Sequence, residues 1–430
     1  MTDDQFFKAT KGFPNGCCPN SLCVFASWRE KNNFPPRRKA RRGSFKKLAA
    51  NKHEISRNKF CFNFRVCSCL FVANFLFIFA LCSAAFAADS VKTAERSFVK
   101  LAEGVYAIRH KDAPDTFPQG NTTVVIGERE VLVVDSCYLP SAAREDIAQI
   151  RQWTTKPVRY LVNTHWHYDH TMGNGTYWEA FPGLSIIAHA ETAKQSANYN
   201  PGWFERFPRR ADAFKRVLAE GRDNNGKALS DGEKKEYEEA IRGLEPVHAE
   251  FRALRDKTPN FTFDSALSID LGNREVQIRH MGRGNTAGDT IVYLPKEKIL
   301  VSGDLVVHPV PYMFGGYPSD FVKTLGKLNQ MDFQTIVPGH GEILRGGQGR
   351  EYIVLLAGFT NAVLAEVGKQ INLIGNGQRN LEPVRQAVQK NFDVAPWRQR
   401  FAGADKDNQD FFDTTYAGLI TAAHAEIWGQ

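Results

Sequence analysis

Residues 165–170 read His-Trp-His-Tyr-Asp-His, directly after the strand-like run Val158–Thr164. No other stretch restricts the backbone as much. Imidazole nitrogen and carboxylate oxygen suit zinc and similar divalent metals. Zinc proteases that carry their ligands on a helix place two His at i and i+4 on one face. Here the first two His are two positions apart. They reach one ion only from an extended or looped backbone, so the run belongs to a loop at the end of a strand. Asp169 and His170 are adjacent and can point toward a second ion.

The rest of the chain is read around that strand. β-type runs precede it at Val105–Ile108, Thr122–Ile126 and Val131–Asp135, with a helical stretch at Ser141–Trp153. Ser185–Ala188 follows as another strand. From about residue 190 to 260 the apolar period turns helical. Ser230 and Glu233 make a capping box, and Tyr237, Ile241, Leu244, Val247, Phe251 and Leu254 recur at spacings of three and four. Pro246 falls inside this period and is expected to kink or split the helix. Strands return at Ala266–Asp270, Glu275–His280, Thr290–Leu294, Ile299–Ser302 and Thr335–Val337. From Gly349 the chain is again helical, with a last helix over Phe411–Ile427.

Four segments share one design, an apolar strand followed by polar groups. Leu161–Thr164 precedes His165. Gln277–Arg279 leads into Gly282-Arg283-Gly284-Asn285-Thr286-Ala287-Gly288-Asp289. Ile299–Gly303 precedes Asp304, and Ile336–Gly339 precedes His340. Strand ends gather at one edge of a sheet, where loops converge on a ligand. Strands and helices alternate on both sides of the helical segment, which points to layered sheets covered by helices.

In these motifs the chain resembles the metallo-β-lactamase-fold superfamily over roughly residues 98–345. The resemblance implies an α/β fold, a four-layer αββα sandwich. Around it we expect a domain spanning 88–345, a helical insertion at about 190–260 and a helical region over 346–430. The resemblance further implies one or two metals at the sheet edge, Zn2+ first, with Fe or Mn as other divalent candidates. Carried over motif by motif, His165 and His167 bind the first metal, Asp169, His170 and His340 the second, and Asp304 bridges both. Asp169 or Asp304 orients the attacking water and receives its proton.

One position departs from the family pattern. The Gly-rich loop normally brings a third His to the first metal, and here Asn285 stands in its place. An amide oxygen is a neutral, weaker ligand for zinc than imidazole. Either Asn285 coordinates through its oxygen, or the first site is weak, or another residue completes it, with His308 as the spare imidazole. His308, His189 and His280 are otherwise read as structural. True zinc β-lactamases generally lack an Asp where this chain has Asp304. The expected activity is therefore hydrolysis of an ester, thioester, lactone or lactam. A sulfur dioxygenase-like oxidoreductase and a non-catalytic binding protein with a decayed site are the alternatives. Tyr199, Trp203, Phe204 and Phe207 in the insertion are candidates for lining an apolar pocket. The substrate is a small molecule of a class that the sequence leaves open.

Composition bears on partners only after the chain is divided. The formal charge of +8 suggests a nucleic-acid or membrane partner. Residues 1–87, however, carry 15 basic and 4 acidic side chains, against 40 and 43 in the remainder. The basic excess thus belongs to the N-terminal segment, and no nucleic-acid partner is expected. Arg57, Lys59 and Arg65 precede the apolar run Val66–Phe86, which ends in the small-x-small pattern Ala85-Phe86-Ala87. This reads as an export signal cleaved near Ala87, giving a periplasmic or secreted protein. The alternative is a retained membrane anchor, which makes this segment the one membrane contact expected. Seven of the eight Cys lie in this segment, and Cys137 is the exception. A lone Cys forms no internal disulfide, and Cys137 is read as a small packed residue.

Overall fold

The computed structural model describes residues 96–115, 117–222, 228–313, 315–375 and 380–428, and only the backbone of 199–210 and 236. The expectations for residues 1–87 lie outside the described residues. So do the side chains of Tyr199, Trp203, Phe204 and Phe207.

The chain opens with β1 (Ser97–Ala102), β2 (Val105–Arg109), β3 (Thr122–Ile126) and β4 (Val131–Val134), then α1 (Pro140–Trp153) and β5 (Val158–Val162). Two short helices, α2 (Tyr168–Thr171) and α3 (Asn174–Ala180), lead to β6 (Ser185–His189). The long helices α4 (Ala190–Glu220) and α5 (Asp231–Ala253) precede β7 (Phe261–Phe263), β8 (Ala266–Asp270), β9 (Glu275–His280), β10 (Thr290–Leu294) and β11 (Ile299–Val307). Then come α6 (Pro318–Asn329), β12 (Thr335–His340) and β13 (Leu344–Arg345). The helices α7 (Gly347–Ile374), α8 (Leu381–Asn391), α9 (Ala395–Ala402) and α10 (Lys406–Ile427) end the chain.

The strands form two sheets. β1 to β7 lie in sequence order in one, and the other runs β13-β12-β11-β10-β9-β8. Successive side chains of a strand point to opposite faces, and here the two faces enter different cores. Val131 and Val133 of β4 join Ile147 and Ile150 of α1 and Leu244, Val247 and Phe251 of α5. Leu132 and Val134 instead meet Val292, Leu294, Val301 and Val337 of the second sheet. On that sheet Ile291, Leu300 and Ile336 turn outward onto Phe321 of α6, Phe359 of α7 and Phe412 of α10. Three apolar interfaces separate four layers, helix, sheet, sheet and helix, as the family resemblance implied. Each fully buried Val, Leu, Ile or Phe contributes on the order of 1.5–3 kcal/mol.

Strand direction decides where the loops collect. β4 and β5 are parallel, and so are β11 and β12. β9 and β10 are antiparallel, as are β10 and β11. The C-terminal ends of β4, β5, β11 and β12 therefore share one edge of the sandwich with the turn between β9 and β10. At that edge the Thr290 N–H donates to the Thr164 carbonyl across the two sheets at 2.8 Å. At the opposite edge Arg274 bolts the sheets together. It pairs with Glu297 at 2.8 Å and donates to the Ile126 and Glu103 carbonyls, both at 2.7 Å. A buried guanidinium is tolerated only when paired and hydrogen-bonded in this way.

Three details differ from the sequence reading. Pro246 does not split its helix, because α5 runs unbroken from Asp231 to Ala253. Pro246 lies on the exposed side, while Leu244, Val247 and Phe251 are buried. Water can therefore reach the carbonyl that proline leaves without a donor, and apolar packing holds the helix through the lost bond. Second, β11 and β12 do not stop at Ser302 and Val337. They continue through Asp304 and His340, with the register shifted around Gly303. Third, β1, β7, α6, α8 and α9 carry too short or too mixed a pattern to be read in advance. Pro318 occupies the first turn of α6, where its missing N–H costs nothing.

Candidate metal centre

Each segment brings its polar groups to the shared edge by a different local device. The chain bends after β5 through Thr164, His165 and Trp166, and His167 stands at φ −62°, ψ 151° just before α2. The single turn of α2 then carries Asp169 and His170. Asp304 lies inside β11, immediately after Gly303 at φ +52°. A Cβ at Gly303 would lie 2.6 Å from both the Cβ and the hydroxyl of Thr164, so the position requires glycine for conformation and for space. The bulge re-aims the next side chain, and Asp304 faces the His-rich loop. His340 is the last residue of β12.

Two groups of ligand atoms result, each within 4.8 Å. One comprises Asp169, His170, Asp304 and His340, and the other His165, His167 and Asp304. In the first, His170 Nε2 lies 3.1 Å from His340 Nε2, 3.2 Å from Asp304 Oδ1 and 3.4 Å from Asp169 Oδ2. His340 Nε2 is 2.9 Å from Asp169 Oδ2. In the second, His165 Nε2 is 3.0 Å from His167 Nδ1 and 3.4 Å from Asp304 Oδ2. The two groups share only Asp304.

These residues fit a divalent cation. The inward atoms are ring nitrogens and carboxylate oxygens crowded against one another. Asp304 Oδ1 is buried and accepts no hydrogen bond. Electrostatics agree. Burial opposes the charged form of Asp304, yet His170, His165 and His340 hold its carboxyl well below the usual range. Burial likewise works against a charged His170, but the Asp304, Asp169 and Asp135 carboxylates outweigh it and hold its pKa well above the imidazole value. Burial and the neighbouring His165 push His167 down to about 3, which keeps its ring neutral, with one nitrogen lone pair free, at neutral pH. Side-chain exposure is 11% at Asp169 and 14% at His340, but 2% or less at His165, His170 and Asp304. Solvent therefore meets the centre on the Asp169–His340 side.

The other sequence candidates fall differently. Asn285 is buried against the second group, with Nδ2 3.4 Å from Asp304 Oδ2 and 3.5 Å from His167 Nδ1. His308 enters neither group; its ring lies against Tyr352 at 5.1 Å between centroids. His189 and His280 stack on each other at 4.2 Å and bind the Asp264 and Asp289 carbonyls. Cys137 is fully buried, and burial raises its thiol pKa well above the usual value.

Two supporting residues were not singled out in the sequence. Asp135 follows β4, and its Oδ2 accepts from His170 Nδ1 at 2.9 Å and from the Thr164 hydroxyl at 2.8 Å. Thr164 Oγ1 in turn lies 3.0 Å from His165 Nδ1. One carboxylate thus turns the Nε2 lone pairs of both His165 and His170 inward. Leu132-Val133-Val134-Asp135 repeats the strand-then-polar design of the other segments, which was the available signal. Asn121 closes the other side. Its N–H donates to the Gly339 carbonyl at 2.7 Å, and its side chain donates to the Pro338 and Gly341 carbonyls at 3.0 and 3.2 Å. Groups that orient metal ligands typically account for 10–100-fold in affinity. Asp135→Ala is expected to weaken metal retention by roughly that factor, with the loss shared by both groups. Competition with a chromophoric chelator measures it, and unchanged affinity would show that Asp135 does not orient the ligands.

The superfamily model described as "Metallo-beta-lactamase superfamily" matches residues 115–340. The linear primary-alkylsulfatase of Pseudomonas sp. (strain ATCC 19151) is 24% identical over 242 residues, covering 52% of this chain and 42% of that protein. The metallo-beta-lactamase type 2 of Elizabethkingia meningoseptica is 27% identical over 96 residues, covering 20% of this chain and 39% of that protein. The chain thus spans about two fifths of the length of these relatives. Among solved structures, the stereoselective inverting sec-alkylsulfatase Pisa1 from Pseudomonas sp. superposes with a TM-score of 0.53 at 13% identity, over 78% of this chain and 50% of that one.

Proposed function

This chain belongs to the metallo-beta-lactamase superfamily, and on that footing we propose that it is an exported metal-dependent hydrolase of an ester, thioester, lactone or lactam substrate. The carrying observation is the pair of ligand groups that share Asp304 at one sheet edge. Members of the superfamily bind divalent metals, typically zinc. When bound, such an ion supplies hydroxide near neutral pH and polarises the bond to be broken.

The side chains divide the remaining work. His165, His167, Asp169, His170, His340 and Asp304 would hold the cation. Asp169 stands at the solvent-exposed side, with one oxygen held by His340. It is better placed than the buried Asp304 to orient the incoming water and take its proton. Water adds to the electrophilic centre, the bond to the leaving oxygen, sulfur or nitrogen breaks, and the proton passes to the leaving group. No serine or cysteine nucleophile is needed.

Carboxylic esters, thioesters, lactones and lactams remain the substrate candidates, and the relatives add linear and secondary alkyl sulfates. The test is a panel of these six classes with the full chain, stripped by chelation and then reloaded with Zn2+, Mn2+ or Fe2+. Hydrolysis of at least one class that vanishes on stripping and returns on reloading is expected. Protein that binds its metal fully yet hydrolyses nothing in the panel would overturn the reading in favour of a binding protein.

A further inference from the structure

We propose that the two metal positions are unequal. The Asp169–His170–Asp304–His340 group holds its ion tightly, and the His165–His167–Asp304 group holds one that exchanges readily because Asn285 donates hydrogen bonds there instead of coordinating. The inference rests on the metal-dependent reading above and concerns what Asn285 does within that centre.

The asymmetry begins with the donor sets. The first group offers four ionisable ligands, two of them carboxylates. The second offers three, and its only carboxylate is the one already shared. An ion in the first position therefore meets two negative charges. An ion in the second meets one, part of whose field is taken by its neighbour, and it is also repelled by that neighbour.

Asn285 does not redress the balance. Its amide nitrogen, not its oxygen, faces the centre, directed at Asp304 Oδ2 and His167 Nδ1. Turning the amide over would place its oxygen against the Asp304 carboxylate, acceptor against acceptor. The surrounding loop fixes the residue where it is. Thr286 donates to Asp289 through its N–H at 2.9 Å and its hydroxyl at 2.5 Å, and Tyr317 N–H donates to the Gly284 carbonyl at 2.7 Å. Before metal enters, Asn285 donates to Asp304 and lies beside His167 in place of a ligand. An incoming ion must displace this arrangement and gains at most a neutral amide oxygen.

The experiment is zinc binding to the stripped full chain, followed by chelator competition and by elemental analysis after dialysis. Two phases separated by roughly tenfold or more are expected, with about one equivalent surviving dialysis, as the donor count implies. His340→Ala should abolish the tight phase, and His167→Ala should leave it intact. Asn285→His and Asn285→Asp should each tighten the weak phase, and retention of the tight equivalent shows that the variants have folded. Asn285→Ala should leave the weak phase weak. Two equivalents of equal strength in the unaltered protein would overturn the proposal, as would a weak phase indifferent to both His and Asp. These outcomes do not depend on turnover, so an inert but fully loaded enzyme would refute the hydrolase reading and leave the inequality standing. A chain that binds no ion would refute both.

Discussion

Replacing Asp304 by alanine should strip the protein of metal in both positions and lower hydrolysis by on the order of a thousandfold or more. Asp304 is the one residue common to the two ligand groups, and it is the carboxylate deepest in the centre. Its two oxygens face different partners. Oδ1 looks to His170 and His340 at 3.2 and 3.6 Å, and Oδ2 looks to His165 at 3.4 Å. Removing a peripheral ligand such as His167 leaves the opposite group complete. Removing Asp304 leaves neither complete, and it also takes away a charge that offsets three nearby imidazoles. Metal content should therefore fall further in Asp304→Ala than in His167→Ala, with activity falling in parallel. The shape-conserving Asp304→Asn should behave nearly as badly, since the amide brings no charge. Elemental analysis and rate on the same samples decide the matter. An Asp304→Ala protein that keeps as much metal as its parent would show that the groups do not share this residue as a ligand.

The second large effect is expected from a residue with no side chain. Gly339→Ala should destabilise the fold by about 2–3 kcal/mol and weaken metal binding at the same time. A Cβ at position 339 would lie 2.0 Å from Asp304 Oδ1, 2.8 Å from the Gly303 carbonyl carbon and 2.9 Å from the Asp304 nitrogen. Two of the three obstacles are backbone and cannot swing aside. β12 would have to move off β11 at the point where the two strands deliver His340 and Asp304. Stability and metal affinity should thus fall together, which an ordinary core substitution would not produce. Gly326→Ala in α6 is the control. That glycine is exposed with nothing within 4 Å of an added Cβ, so alanine should gain about 0.5–1 kcal/mol of helix propensity. Denaturant melts of the metal-free and loaded proteins separate the cases. A Gly339→Ala protein as stable as its parent would mean that the strands do not approach as closely as the structure places them.

Much of this centre was legible in the amino-acid order alone. The two-residue spacing of His165 and His167 excludes a helical site by geometry, and the order of the four motifs carried the resemblance to a known fold. The near-continuous apolar runs of β4, β10 and the start of β11 are those of strands buried on both faces. The departure at Asn285 is likewise visible in the sequence.

What the sequence left open depends on contacts between residues far apart in the chain. Asp135 looks like the polar end of a strand until folding brings His170 and Thr164 against it, 35 and 29 residues away. Asn121 joins the centre only when Pro338 and Gly341 arrive from more than 200 positions downstream. Local pattern also allowed for a split at Pro246, where the packing of Leu244, Val247 and Phe251 helps the helix run on. Sequence determines which atoms can bind a metal, since ligand chemistry belongs to the residue type. Tertiary structure decides how those atoms are grouped and aimed. The grouping follows from strand direction, which sets Asp304 between two clusters, and the Asp304 carboxylate turns the Asn285 amide nitrogen toward itself.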